Sequence, residues 1–198
     1  MTCQFTHDPA LIARFPALRV QSLIATLPEG FAPPDPAPLE EEARARLVQA
    51  PEAEMAPIRA WRAAYAAMGH KPTQTRCAAE ALLRRLRLEG ALPRVSGLVD
   101  FGNAVSAAAA IPLAIFDLDR ISGDLTVTMA RGDERFVTFG GAEERPDPGE
   151  VIFRDSSGAA HARRWAHRQG AAAATGPATR RALFVAEATG IGGPAVTV

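Results

Sequence analysis

Ile58, Trp61, Tyr65 and Met68 recur at spacings of three and four between Pro57, which suits a first helical turn, and Gly69, which suits a helix end. That pattern predicts an amphipathic helix. Cys77 to Leu88 repeats it, with Leu82, Leu83 and Leu86 inward, Arg84, Arg85 and Arg87 largely outward, and Gly90 and Pro93 as stop signals. Leu39 to Gln49 reads as a charged helix whose first turn holds Glu40, Glu41 and Glu42, where they oppose the helix dipole. Leu98 to Ala110, small and apolar and stopped before Pro112, reads as a buried helix. Asp8-Pro9 opens a short helical or turn segment. Leu18 to Leu27, bounded by Pro16 and by Pro28-Glu29-Gly30, is a predicted strand, and residues 31–38, with four prolines, form a linker or an extended excursion. Further on the texture changes. Leu125 to Met129, Arg135 to Phe139 and Val151 to Phe153 are short strand candidates separated by turn signals, and Ala182 to Ala188 fits a buried strand, although its alanines leave a helix open. Helices first and strands later predict an α+β fold, and no repeat of 20–50 residues interrupts that order.

The 198 residues are the length of one domain, expected to span 1–198, with an N-terminal strand, the Pro-rich segment and an acidic helix inside the first 50. A hydrophobic fraction of 47% excludes a wholly disordered chain. Apolar runs such as Val105 to Ile111 are too short to span a membrane, and residues 1–10 lack the basic start and apolar stretch of a secretory signal. Two cysteines, Cys3 and Cys77, are too few for a disulfide framework. A soluble cytoplasmic protein is therefore the expectation. The 22 basic and 22 acidic residues cancel, yet residues 1–56 carry a net −4 and residues 57–198 a net +4. One face could then meet a polyanion; ordinary solvated surface explains the same numbers.

Standard catalytic signatures are largely absent. No phosphate-cradling loop with its Lys is present, and Gly190 to Gly193 has no predicted helix after it to supply an anion-binding N-terminus. His161 and His167 stand among Arg163, Arg164 and Arg168, a cationic setting that repels a divalent metal, so no metal and no cofactor are expected. His70, after Gly69, fits a helix end or solvent. The unusual stretch is His161 to Gln169. As a strand it would put His161, Arg163, Trp165, His167 and Gln169 on one face, offering a cation, an aromatic plate and an amide to a nucleotide or carboxylate ligand. The alternative is a core Trp165 with arginines paired to Glu143, Glu144 or Asp155. A second constellation, Asp100, Asn103 and Ser106, lies at helical spacing among small apolar residues, either as an internal hydrogen-bond anchor or as the wall of a polar pocket.

The string Leu98-Val99-Asp100-Phe101-Gly102-Asn103-Ala104-Val105, followed after a small-residue helix by Ile111-Pro112-Leu113-Ala114-Ile115-Phe116-Asp117-Leu118-Asp119-Arg120-Ile121, resembles the editing module of bacterial phenylalanyl-tRNA synthetase. That module is the paired third and fourth domains of the beta subunit. Ile58 to Arg62, Gly69 to Pro72, Glu80 to Arg85, Leu92 to Arg94, Pro148 to Val151, Arg154-Asp155, Arg163 to Trp165 and Arg168-Gln169 look more like free-standing relatives of it, so that the resemblance spans roughly residues 55 to 190. It implies a three-layer fold of mixed sheet and helices with a pocket that hydrolyses a wrong amino acid off the tRNA end. The His that follows Pro-Leu in the synthetase belongs to that pocket, and Ala114 takes its place here. An aminoacyl ester is labile enough that a held water and a held carbonyl suffice for hydrolysis.

The resemblance makes a trans-acting deacylase of mischarged aminoacyl-tRNA the leading expectation, with tRNA as partner and no DNA or membrane. In that reading Asn103 or Gln169 positions water, Ser106 and Ala114 form pocket wall, Arg163 or Arg168 holds the terminal phosphate or ribose, Trp165 packs on adenine or the amino-acid side chain, and Asp155 orients an arginine. Arg84, Arg85, Arg180 and Arg181 would touch tRNA phosphates. A module that binds an amino acid or an aminoacyl-tRNA end without turnover, and a hydrolase of a small amino-acid derivative, are the alternatives. The oligomeric state is left open.

Overall fold

Residues 3–190 are described by the computed structural model. The N-terminal part runs Phe5–His7 (β1), Pro9–Arg14 (α1), Arg19–Thr26 (β2), Ala37–Gln49 (α2), Ala56–Ala67 (α3), Ala78–Glu89 (α4) and Gly97–Ala109 (α5). Each helix has a local reason to exist. Asp8 caps α1 by accepting from Ala10 N at 2.8 Å, prolines stand in the first turns of α1, α2 and α3, and Gly90 ends α4 in the left-handed region that glycine adopts without steric cost. On α3 the apolar stripe buries Ile58, Trp61 and Tyr65, as its period predicts. α4 turns Leu83 and Leu86 inward, and its Glu80 meets Arg62 of α3 at 2.6 Å.

The remainder is strand-rich: Leu113–Asp117 (β3), Leu125–Met129 (β4), Arg135–Val137 (β5), Glu143–Glu144 (β6), Val151–Asp155 (β7), Ala159–Arg163 (β8), Arg168–Gln169 (β9) and Arg181–Ala188 (β10). Seven strands form one sheet in the order β1-β4-β7-β8-β5-β6, with β9 also on β8; the others form an antiparallel sheet β2-β10-β3. Beta-branched and aromatic residues settle the ambiguity at β10 in favour of strand: Leu183 and Val185 face the main core while Phe184 faces the other side.

Three layers result. α5, with α2 and α4 against it, covers part of one face of the small sheet, where Gly102 lets Ile115 approach so closely that a Cβ would stand 2.5 Å from its Cδ1. The opposite face of the small sheet packs on the large one, with the Phe116 and Phe153 rings 5.3 Å apart. The fold is thus the α+β arrangement of helices and mixed sheet expected above. Predicted elements match observed ones within a residue or two, with two corrections. Phe139 drops out of β5 because the Thr138–Ala142 turn begins there, and His161 to Gln169 is not one strand. β8 ends at Arg163, Arg164 and Trp165 adopt positive φ (47° and 58°), and the chain doubles back as β9. Of the Gly190 to Gly193 stretch, residues 191–193 lie outside the described residues. No helix among them is long and apolar enough to cross a membrane.

Candidate functional site

The reversal at Arg164 and Trp165 shapes the site, because left-handed backbone at two non-glycine residues needs external support. It has four props. Trp165 N donates to Val151 O (2.7 Å), Arg164 N to Glu150 Oε1 (2.9 Å) and Tyr65 Oη to Arg164 O (3.2 Å), while the Trp165 ring packs edge-on against Trp61, centroids 5.0 Å apart. Trp165 is therefore packed in the core and does not share one strand face with Arg163 and His167.

The arginines of the same segment are largely spoken for. Arg163 is buried and forks onto Glu150 through Nε (2.9 Å) and Nη2 (2.7 Å), with Nη1 on Glu144 (2.8 Å). Burial alone would raise the Glu150 pKa; the Arg163 hydrogen bonds and charge, with the N–H groups of Arg164 and Asp147, overcome it and hold the carboxyl below its usual range. Arg168 forks onto Glu144 at 2.9 Å twice, over the Phe136 ring, but remains exposed on one side. Asp155 orients no arginine. Its acceptor sites go to Ser122 N, Ser157 N and Oγ, Ala159 N and His161 Nε2, which together outweigh burial and lower its pKa.

Four of the sequence-predicted residues meet at one cavity of about 60 Å³: Ala114, Trp165, Arg168 and Gln169 line it, joined by His167, Glu187 and an apolar wall from Pro112, Leu113, Phe153 and Val185. That is room for a few waters or a small ligand group. Gln169 Nε2 donates to Ile115 O at 2.8 Å, which leaves its Oε1 as the acceptor. His167 Nδ1 lies 2.7 Å from Arg76 O; a carbonyl only accepts, so Nδ1 carries a proton and, in the neutral ring, Nε2 carries the lone pair. Glu187 accepts on Oε1 from Trp165 Nε1 (3.0 Å) and from His7 Nε2 (2.7 Å). Neither His7 nor Glu187 was singled out by sequence reasoning. They stand 180 positions apart, and no local pattern links them.

The structure does not bring Asn103 or Ser106 to this cavity. Asn103 is half-buried on α5. Ser106 Oγ donates to Ile111 O at 2.7 Å and Asp100 Oδ1 accepts from Val95 N at 2.7 Å, so these polar residues of the stripe tie down the two ends of the helix. Of the arginines assigned to tRNA, Arg84 and Arg85 project from α4, the latter held by Glu89 at 2.8 Å, while Arg180 and Arg181 lie at the entry to β10, bonded to backbone carbonyls and, at 3.4 Å, to Asp119. Cys77 is buried in the core, and burial pushes its thiol up to about 12, which removes it as a nucleophile. No cluster of His, Cys, Asp and Glu suited to a metal occurs among the described residues.

The model of the B3/4 domain family matches residues 60–191, about two thirds of the chain. The chain belongs to the B3/4 domain family. All the lining residues of the cavity fall inside the matched segment, whereas His7 and β2 fall outside it. Among curated proteins, the phenylalanine–tRNA ligase beta subunit of Mycobacterium leprae is 40% identical to this B3/4 chain over 75 residues, 38% of the chain and 9% of the subunit. The corresponding subunit of Nocardia farcinica is 38% identical over 78 residues, 39% of the chain and 9% of the subunit. The chain spans about a tenth of the length of these curated relatives. Among solved structures, an N-terminal fragment of the phenylalanyl-tRNA synthetase beta subunit from Pyrococcus horikoshii aligns with 94% of the chain and 43% of its own length, at a TM-score of 0.44 and 11% identity.

Proposed function

We propose that this B3/4 protein hydrolyses the ester of mischarged aminoacyl-tRNA in trans. The observation that carries the reading is the set of polar groups gathered at one small cavity: the His167 Nε2 lone pair, the Gln169 Oε1 acceptor, the Arg168 guanidinium and the Glu187 carboxylate. In this reading water sits between Gln169 and His167, and His167 takes its proton as the oxygen attacks the ester carbonyl carbon; the ribose oxygen leaves and is protonated, giving free amino acid and tRNA. Glu187 attracts the cationic α-ammonium of the aminoacyl group. Arg168 exchanges Glu144 for a terminal phosphate. Trp165 acts as wall and support rather than as a stacking plate. Asn103, Ser106, Asp155 and Arg163 hold the frame, and Arg84, Arg85, Arg180 and Arg181 meet the tRNA backbone at longer range.

One observation favours a second reading, a module that binds without turnover: Arg168, Gln169 and Glu187 already hold hydrogen bonds within the chain, so a ligand must displace or share them. Deacylation of a panel of correctly and incorrectly charged tRNAs separates the two. The expected outcome is release of one class of amino acid above the spontaneous rate, lowered about 100-fold by His167→Gln, as for loss of a general base, and lowered also by Arg168→Ala. A flat panel with measurable binding would establish the second reading.

A further inference from the structure

β2 is an eight-residue strand paired on one side only. Leu27 N donates to Arg180 O, which fixes the parity of the ladder: Arg19, Gln21, Leu23 and Ala25 turn their peptide groups toward β10, and Val20, Ser22, Ile24 and Thr26 turn theirs outward. Among the described residues no strand meets that outer row. An open edge of this length is a template for another strand, and proteins usually blunt it with Lys, Pro, a bulge or a cover. From Val20 to Thr26 this edge has no charge, no Pro and no Gly, and its register on β10 runs unbroken. It exposes apolar side chains on both faces: Val20 is 37% exposed, Leu23 42% and Ile24 49%.

We propose that two copies of the chain join through β2 about a two-fold axis, turning two three-stranded sheets into one six-stranded antiparallel sheet. Self-pairing is favoured by symmetry and by charge. With the axis beside Leu23, Val20 faces Thr26 of the second copy and Ser22 faces Ile24, so every outward peptide group between Val20 and Thr26 has a partner from the same row. The neutral edge gives a foreign charged segment nothing to read, whereas the two-fold arrangement uses each favourable contact twice. The register on the existing strands extends the argument. Ile115, Phe184 and Leu23 lie side by side across β3, β10 and β2, flanking a shallow groove of about 390 Å³ lined in part by Leu23, Leu113, Phe184 and Ala186. Leu23 against Leu23 continues that apolar row through all six strands.

An edge of eight residues is about 27 Å long, and pairing along it alone lies at the small end of stable interfaces, so the dimer is reversible with a Kd in the micromolar range. Sedimentation velocity between roughly 1 and 100 µM reads it, with a monomer giving way to a dimer as concentration rises. Ser22→Pro removes an outward N–H and leaves the β10 ladder intact, so it raises the Kd at least about tenfold while the melting temperature of the monomer holds. Leu23→Cys, in a Cys3→Ser background, forms a disulfide-linked dimer on mild oxidation, because residues opposed without mutual hydrogen bonds sit about 4.5 Å apart at Cα, within disulfide reach. The crosslink decides the matter if the proline variant does not fold. Monomer at every concentration overturns the proposal, whatever other extended segment the edge accepts, and so does a dimer indifferent to Ser22→Pro that yields no crosslink.

Discussion

Glu150 and Glu187 are both buried carboxylates beside the same Arg164–Trp165 turn, and they are held in opposite ways. Glu150 takes a guanidinium fork on both oxygens and two backbone N–H groups, so its acceptor capacity is filled and its charge is locked in place. Glu187 takes an indole and an imidazole on one oxygen, so among the described residues Oε2 still has room for a donor from the cavity it lines. The contrast separates scaffold from chemistry: a saturated carboxylate fixes geometry, and an unsaturated one at a cavity can respond to a ligand.

The comparison breaks most visibly at Arg163. Arg163→Ala strands Glu150 without its counter-charge and should cost about 3–5 kcal/mol in urea denaturation; a loss within about 0.5 kcal/mol, typical of a surface position, would mean that Glu150 is no more closed than Glu187. Glu187→Gln keeps the shape and removes the charge. It should shift stability by only about 1 kcal/mol while lowering deacylation about tenfold through KM, since the carboxylate is assigned to binding the ammonium group; an unchanged KM would remove Glu187 from the site. The smallest effect is electrostatic. Glu150 and Asp155 have pKa values below those of the unfolded chain, so their stabilisation is fully present above the ordinary carboxylate range and is lost as pH falls through the folded values. A thermal melt followed below about pH 4 should therefore fall in wild type and fall less steeply in Arg163→Ala, in which Glu150 has lost the partner that lowers it.

Much of this architecture was legible from periodicity and punctuation. The α3 stripe of Ile58, Trp61 and Tyr65, the Gly90 stop and the bounds of β4 follow from rules that act within a few residues. The site was legible only in part. Trp165, Arg168 and Gln169 attracted notice by composition, yet a strand drawn through them misplaced Trp165, because left-handed backbone at an Arg-Trp pair has no sequence signature and is enforced by Glu150, Val151 and Tyr65 from elsewhere. The stripe on α5 left a hydrogen-bond anchor and a pocket wall equally open, and Asp100 and Ser106 take the first role, bonding at the helix's own termini. Glu187 stands at the end of an apolar run, and nothing in its local sequence marks it. Only β1, pairing in parallel with β4, carries His7 to it.

That last contact has a consequence for how the protein is made. After His7 is made, 180 further residues must be polymerised before Glu187 exists to meet it; at ordinary synthesis rates of about 5–20 residues per second, that is a wait on the order of 10–40 s. For roughly the first two thirds of that interval β1 also lacks β4, its parallel partner. The His7–Glu187 contact, and with it the second hydrogen bond on Glu187 Oε1, is therefore a late step of biogenesis.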